Sequence, residues 1–214
     1  MAELQFQFIS VFFAVAIPLL FVVLMLEKGD SRRIILYFCW GLFAGVLAFH
    51  LNNLLGSSHA QAQRVTVSIA PILEEMLKGL PVLLFLNRKK YPQVSKLIVF
   101  CAMASGVGFS IQESLYFFAV SSREIIDLLA LIVRTLTTAL MHGMTTALFG
   151  IGIIVTQKLR LARLPIIFGQ FAFCASIHAL YNLLMYTWLA WLTAVIPVVM
   201  FGAGRLFLRR IEIE

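Results

Sequence analysis

Seven stretches of this chain are long and apolar enough to cross a bilayer, at about residues 4–26, 34–55, 65–86, 97–119, 131–156, 165–186 and 187–208. A hydrocarbon core of ~30 Å takes about 20 apolar residues of helix, and each stretch meets that length. Composition agrees: 61% of the 214 residues are hydrophobic and 13% charged, with mean hydropathy +0.96, whereas soluble proteins run near half apolar and a quarter charged. The connections are short and leave no room for a soluble domain. The expectation is an all-α polytopic membrane protein with about seven transmembrane helices, residues 1–214 forming a single membrane-embedded helical domain. The opening "MAELQFQFIS" has no basic region, and its apolar run exceeds that of a cleaved signal, so the first stretch is expected to remain as helix.

The net charge of +7 would suit nucleic acid, but its distribution argues otherwise. Basic residues cluster in "EKGDSRR", "NRKKYPQVSK", "QKLRLAR" and "RLFLRR", while the alternate connections carry only Arg64 and Arg123. That alternation follows the positive-inside rule and sets the N-terminus outside and the C-terminus in the cytoplasm, in the cell membrane. Cys39, Cys101 and Cys174 all fall within spans, without paired spacing, and read as small buried hydrophobes.

Charged side chains inside a span cost ~2.5–3.5 kcal/mol each on the insertion scale, so they mark function by default. Here they are Glu74, Glu75, Lys78, Glu113 and Arg134, joined by His142, His178 and Asn182. His50 and His59, near the end of the second span and in the loop after it, read as interfacial. Orientation allows a test of depth. Measured from the outer ends of their spans, Glu74 lies roughly 14 Å down, Glu113 roughly 9 Å, His142 roughly 16 Å and His178 roughly 12 Å. Four helices thus bring ionisable groups to one level in the outer half of the bilayer, as a shared site requires. Lys78 lies four residues from Glu74 and three from Glu75, so either carboxylate can pair with it; Glu75 and Lys78 read as the pair that holds the helix in register. Arg134 reads as structural, snorkelling or paired with a carboxylate. Gly106 and Gly108 before Glu113 permit close approach of a neighbouring helix. The mixed stretch "AVSSREIIDLLALIV" before Arg134 suggests an interfacial helix near a substrate entrance.

Two designs use such a constellation to hydrolyse an amide within the membrane. In one, Glu113, His142 and His178 bind zinc, and Glu74 takes a proton from the bound water. In the other no metal is present; Glu74 activates water with Glu113 or His142, while His178 and Asn182 stabilise the oxyanion. The candidate catalytic set is therefore Glu74, Glu75, Glu113, His142, His178 and Asn182.

Taken in order on successive helices, "EEMLK" (Glu74 to Lys78), "GVGFSIQE" ending in Glu113, His142, and "HALYN" (His178 to Asn182) resemble the PrsW family of intramembrane proteases. The resemblance spans about residues 64–182, within a site-bearing core of 64–186. It implies an endopeptidase that cuts a single-pass membrane protein in the lipid bilayer, such as an anti-sigma factor, near the extracytoplasmic side, with Glu74 as the base. The family is related to the CAAX-protease and bacteriocin-processing group. This chain departs from the prenyl-protease pattern in its E-E-x-x-K spacing and in Glu113, which argues against a prenylated substrate. Resemblance leaves both the metallo- and glutamic-type mechanisms open, along with the oligomeric state.

A proton- or cation-coupled transporter would also bury carboxylates and histidines. Such transporters often carry internal repeats, and the two halves of this chain share neither motif nor charge pattern. A non-catalytic scaffold would bear the cost of four intramembrane ionisable groups with nothing in return.

Overall fold

The computed structural model describes residues 2–26, 29–56, 65–86, 95–120, 128–159 and 163–213. His59, Arg64, Arg123 and residues 121–127 of the mixed stretch lie outside the described residues. Seven α-helices follow in order among the described residues: α1 (Ala2–Met25), α2 (Ser31–Leu55), α3 (Ala70–Gly79), α4 (Ser95–Val120), α5 (Leu128–Leu159), α6 (Arg163–Leu184) and α7 (Leu192–Ile213).

Five of them, α1, α2, α4, α5 and α6, are long and apolar enough to cross a membrane, and the protein is an all-helical, multi-pass integral membrane protein. The two central helices separate from the rest by burial. In α4 and α5, 83% of the most apolar window is buried within the protein, against 28% in α1, 33% in α2 and 22% in α6. Protein therefore surrounds α4 and α5, while the others turn apolar faces such as Phe12, Leu20, Phe43 and Phe168 outward, as a lipid solvent requires. Cys101 and Cys174 are buried, but Cys39 sits on the outer surface rather than in the interior.

The predicted third and seventh spans need correction. The third is helical from Val65 to Phe85 but comes in three pieces: a π-helical turn at Val65–Ile69, then α3, then a 3₁₀ segment at Leu80–Phe85. Pro71 and Pro81 cause the breaks, because a proline has no N–H to give the carbonyl one turn earlier. In a π-turn the partner of the Thr66 carbonyl would be residue 71; Asn182 Nδ2 donates to it instead, at 2.9 Å. In an α-helix Leu77 would pair with residue 81; Trp40 Nε1 replaces it at 2.8 Å. Ser105 Oγ donates to the Lys78 carbonyl and Tyr37 Oη to that of Pro81, at 2.9 and 2.8 Å. Irregular backbone at membrane depth survives only when protein satisfies it, and here α2, α4 and α6 do so. The seventh helix starts at Leu192, not 187. Turns bonded at Tyr186, Thr187, Ala190 and Leu192 precede it, and Trp188 and Trp191 are 86% and 60% exposed there, as aromatic side chains at a membrane interface are.

Candidate active site

Glycine sets the distance between the two central helices. A Cβ on Gly106 of α4 would overlap the backbone carbonyl of His142 on α5, and one on Gly108 would overlap that of Phe38 on α2. The bare backbone lets three helices meet closely, as the sequence suggested. Seven residues beyond Gly106, two turns along the same helix, Glu113 arrives opposite His142.

The predicted depth coincidence is met in three dimensions. Ligand atoms of Glu74, Glu113, His142 and His178 all lie within 4.8 Å of one another. Both histidines are fully enclosed, while the Glu74 and Glu113 side chains are 13% and 25% exposed. The carboxylates therefore form the accessible edge of a buried cluster. They face a cavity of about 760 Å³, lined among others by Asn52, Glu74, Glu113, Arg134, Asn182 and Tyr186. It opens among the ends of α2, α4 and α6 and the start of α5, at the end of the bundle that the charge pattern turns outward.

Beneath the cluster, Glu75 and Lys78 form a closed pair at 2.7 Å, with side chains 2% and 0% exposed. Their reach extends past one helix. Glu75 Oε1 stands 2.9 Å from His178 Nδ1 and accepts from Thr145 Oγ1 at 3.0 Å. A carboxylate can only accept, so His178 carries a proton on Nδ1, and in the neutral ring Nε2 presents a lone pair. That Nε2 is buried without a hydrogen-bond partner, 3.5 Å from Glu74 Oε2. Lys78 Nζ also donates to His142 Nδ1 at 2.7 Å. An ammonium can only donate, so the His142 proton is on Nε2 and meets Glu113 Oε2. Arg134, expected to be structural, holds the other oxygen of Glu113 at 3.1 Å and donates to Tyr181 Oη at 3.2 Å.

An orphaned imidazole nitrogen beside two carboxylates and a second histidine fits a hard or borderline divalent cation. Glu74, Glu113 and His178 present their donor atoms as they stand. His142 would join only in its other tautomer, with the ring proton on Nδ1 and the hydrogen bond from Lys78 given up, so that Nε2 offers its lone pair.

Sequence reasoning missed Asn52. Its Nδ2 donates to Glu74 Oε1 at 2.9 Å, so a third helix orients the outer glutamate. The residue lies near the end of α2, where an asparagine reads as interfacial; the polar pair Asn52–Asn53 in an otherwise apolar span was the available signal. Asn182 lies on the cavity wall with one amide hydrogen given to Thr66.

Residues 31–204 match the family described as PrsW family intramembrane metalloprotease. The chain belongs to the PrsW family. Comparison with curated proteins and with solved structures gives no match. Membership makes the chain a membrane-embedded protease acting on a membrane protein within the bilayer. The matched range takes in every member of the PrsW cluster described above, together with Asn52, Lys78 and Arg134.

Proposed function

We propose that this protease hydrolyses a peptide bond of a single-pass membrane protein, of the anti-sigma-factor kind, near the extracytoplasmic face of the cell membrane. The observation that carries this reading is the convergence of Glu74, Glu113, His142 and His178 beside a cavity at one end of the bundle.

In this mechanism Glu74 is the base. Its carboxylate edges the cavity, and Asn52 holds one oxygen, leaving the other to take a proton from water and pass it to the leaving amine. Glu113, His142 and His178 are the residues that would hold zinc. When bound, the ion would supply Lewis-acid polarisation of the scissile carbonyl and would acidify water. Arg134 keeps Glu113 in place, and Glu75 keeps His178 in the tautomer with Nε2 open. Asn182 is the candidate to steady the oxyanion, since it spends one amide hydrogen on Thr66 and retains a second; His178 would share that role only in the metal-free mechanism, with a proton on Nε2 as well. Enclosure of both histidines keeps bulk water from the charges and strengthens their fields.

Two measurements on detergent-purified protein test the reading together. Zinc per chain is expected near one in wild type and near zero in His178→Ala and Glu113→Ala. Glu74→Gln is expected to keep the metal and lose cleavage of single-pass membrane reporters. A folded wild type without metal that still cleaves would remove the ion and leave the glutamic mechanism. Cleavage that survives Glu74→Gln would overturn the role of the base.

A further inference from the structure

At the opposite end of the bundle a second cleft of about 490 Å³ lies between α1 and α7, floored by α4 and α5. Its walls include Phe21, Phe100, Met144 and Phe201, and its charged residues are Lys96 and Arg205. Helix α1 packs on α4 and α5, whereas α7 packs on α5 and α6, so the cleft is the gap left where the two outer helices part. We infer that this cleft binds one anionic phospholipid, with an acyl chain between α1 and α7 and the phosphate on Lys96 and Arg205.

Three observations select that occupant. The cleft opens on the membrane-facing flank of a bundle whose outer helices are bathed in lipid, so a hydrocarbon chain fills its apolar walls where water would not. Its volume of about 490 Å³ lies within the usual range of about 300–1,000 Å³ for small-ligand sites, a size that a slim acyl chain fits. Its two cations stand at the matching height. Lys96 is in the first turn of α4 and Arg205 in the C-terminal part of α7, at the basic end that the charge pattern places in the cytoplasm. The cytoplasmic leaflet carries the anionic lipids, and basic residues at that level attract them. Lys96 Nζ also rests over the Phe100 ring at 5.4 Å, which holds the amine against the wall of the cleft.

The test is lipid titration of the detergent-purified full chain, followed by native mass spectrometry. The probes are phosphatidylglycerol and phosphatidylcholine with the same acyl chains. Wild type is expected to retain one phosphatidylglycerol with about thirtyfold preference, the effect of two basic residues at a membrane surface. Lys96→Gln with Arg205→Gln is expected to bind both lipids at the phosphatidylcholine level. Leu24 lines the cleft and is 72% exposed, so Leu24→Trp narrows it without touching the core; both lipids are then expected to weaken together. Equal retention of the two lipids by wild type would overturn the proposal. So would a preference that survives the double substitution, phosphatidylglycerol binding unchanged by Leu24→Trp, or a lipid-free dimer that excludes both probes.

Discussion

Asn52 of α2 donates its side-chain amide to Glu74 of α3 across 2.9 Å, so the proposed base is aimed by a residue from another helix. A hydrogen bond to a charged group is worth ~1.5–3 kcal/mol, or roughly ten- to a hundredfold in rate if it is made in the reacting geometry. Asn52→Ala is expected to lower kcat by that factor, with KM and metal content little changed. Asn52→Asp should be worse, because it sets a second carboxylate against Glu74. Steady-state kinetics on a membrane reporter decide it, and an unchanged kcat in Asn52→Ala would remove Asn52 from the site.

The enclosed pair of Glu75 and Lys78 predicts an asymmetry in stability. Removing one partner of a buried ion pair costs ~3–5 kcal/mol, because the other charge is stranded, whereas replacing both can be nearly neutral. Lys78→Met should therefore unfold at markedly lower temperature in detergent, and Lys78→Met combined with Glu75→Gln should recover part of the loss. In the double variant His142 and His178 both lose the group that fixes their tautomer, so recovered stability should come without recovered activity. Thermal melts and cleavage assays on the same samples separate the two effects.

Gly106 offers a test of helix packing. Its Cα hydrogens face the His142 carbonyl so closely that a methyl group has no space, and the obstacle is backbone, which cannot rotate away. Gly106→Ala is expected to cost ~1–3 kcal/mol through overpacking and to part α4 from α5, separating Glu113 from His142. Gly169 meets nothing within 4 Å, so Gly169→Ala is the matched control. Equal melting temperatures for the two variants would contradict the packing.

Arg134 makes a fourth case. It spans Glu113, Tyr181 and Met185 through one guanidinium. A lysine keeps the charge but offers no planar fork. The Arg134 and Glu113 side chains are only 15% and 25% exposed, and lysine still sets a positive charge beside Glu113, so the substitution strands no buried charge. Arg134→Lys is expected to melt near wild type yet bind zinc several-fold more weakly, since Glu113 loses its orientation. Zinc titration of the apo-protein reads this directly, and wild-type affinity in the variant would show that Glu113 is held by other means.

How much of this could be read from the sequence depended on whether a relation ran along one helix or between several. Depth is set by residue count, so Glu74, Glu113, His142 and His178 could be placed at one level before any coordinates. Spacing along α3 likewise put both Glu74 and Glu75 within reach of Lys78, and Glu75, the favoured partner, is the one it pairs with. Rotation about the helix axes is not a matter of counting. Nothing in the spacing told that Lys78 would also reach His142, that Glu75 would fall to His178, or that Asn52 would turn toward Glu74. The third span read as a continuous helix because its apolar length dominated, although Pro71 and Pro81 were visible throughout. The seventh was started five residues early for the same reason: apolar character continues through the turns at Met185–Trp191, where hydropathy alone sees no boundary.

The broken third segment has a consequence for how the protein comes to exist. Four of its carbonyls take their hydrogen bonds from Tyr37, Trp40, Ser105 and Asn182. When this segment leaves the ribosome, the first two donors are already made and the last two are not. Asn182 and His178 are on the sixth helix, more than a hundred residues later. Until that helix is inserted, the segment bearing Glu74 has no complete set of partners in lipid, and the cluster beside it lacks one of its histidines. The order of synthesis therefore withholds the proposed site until the bundle can close around it.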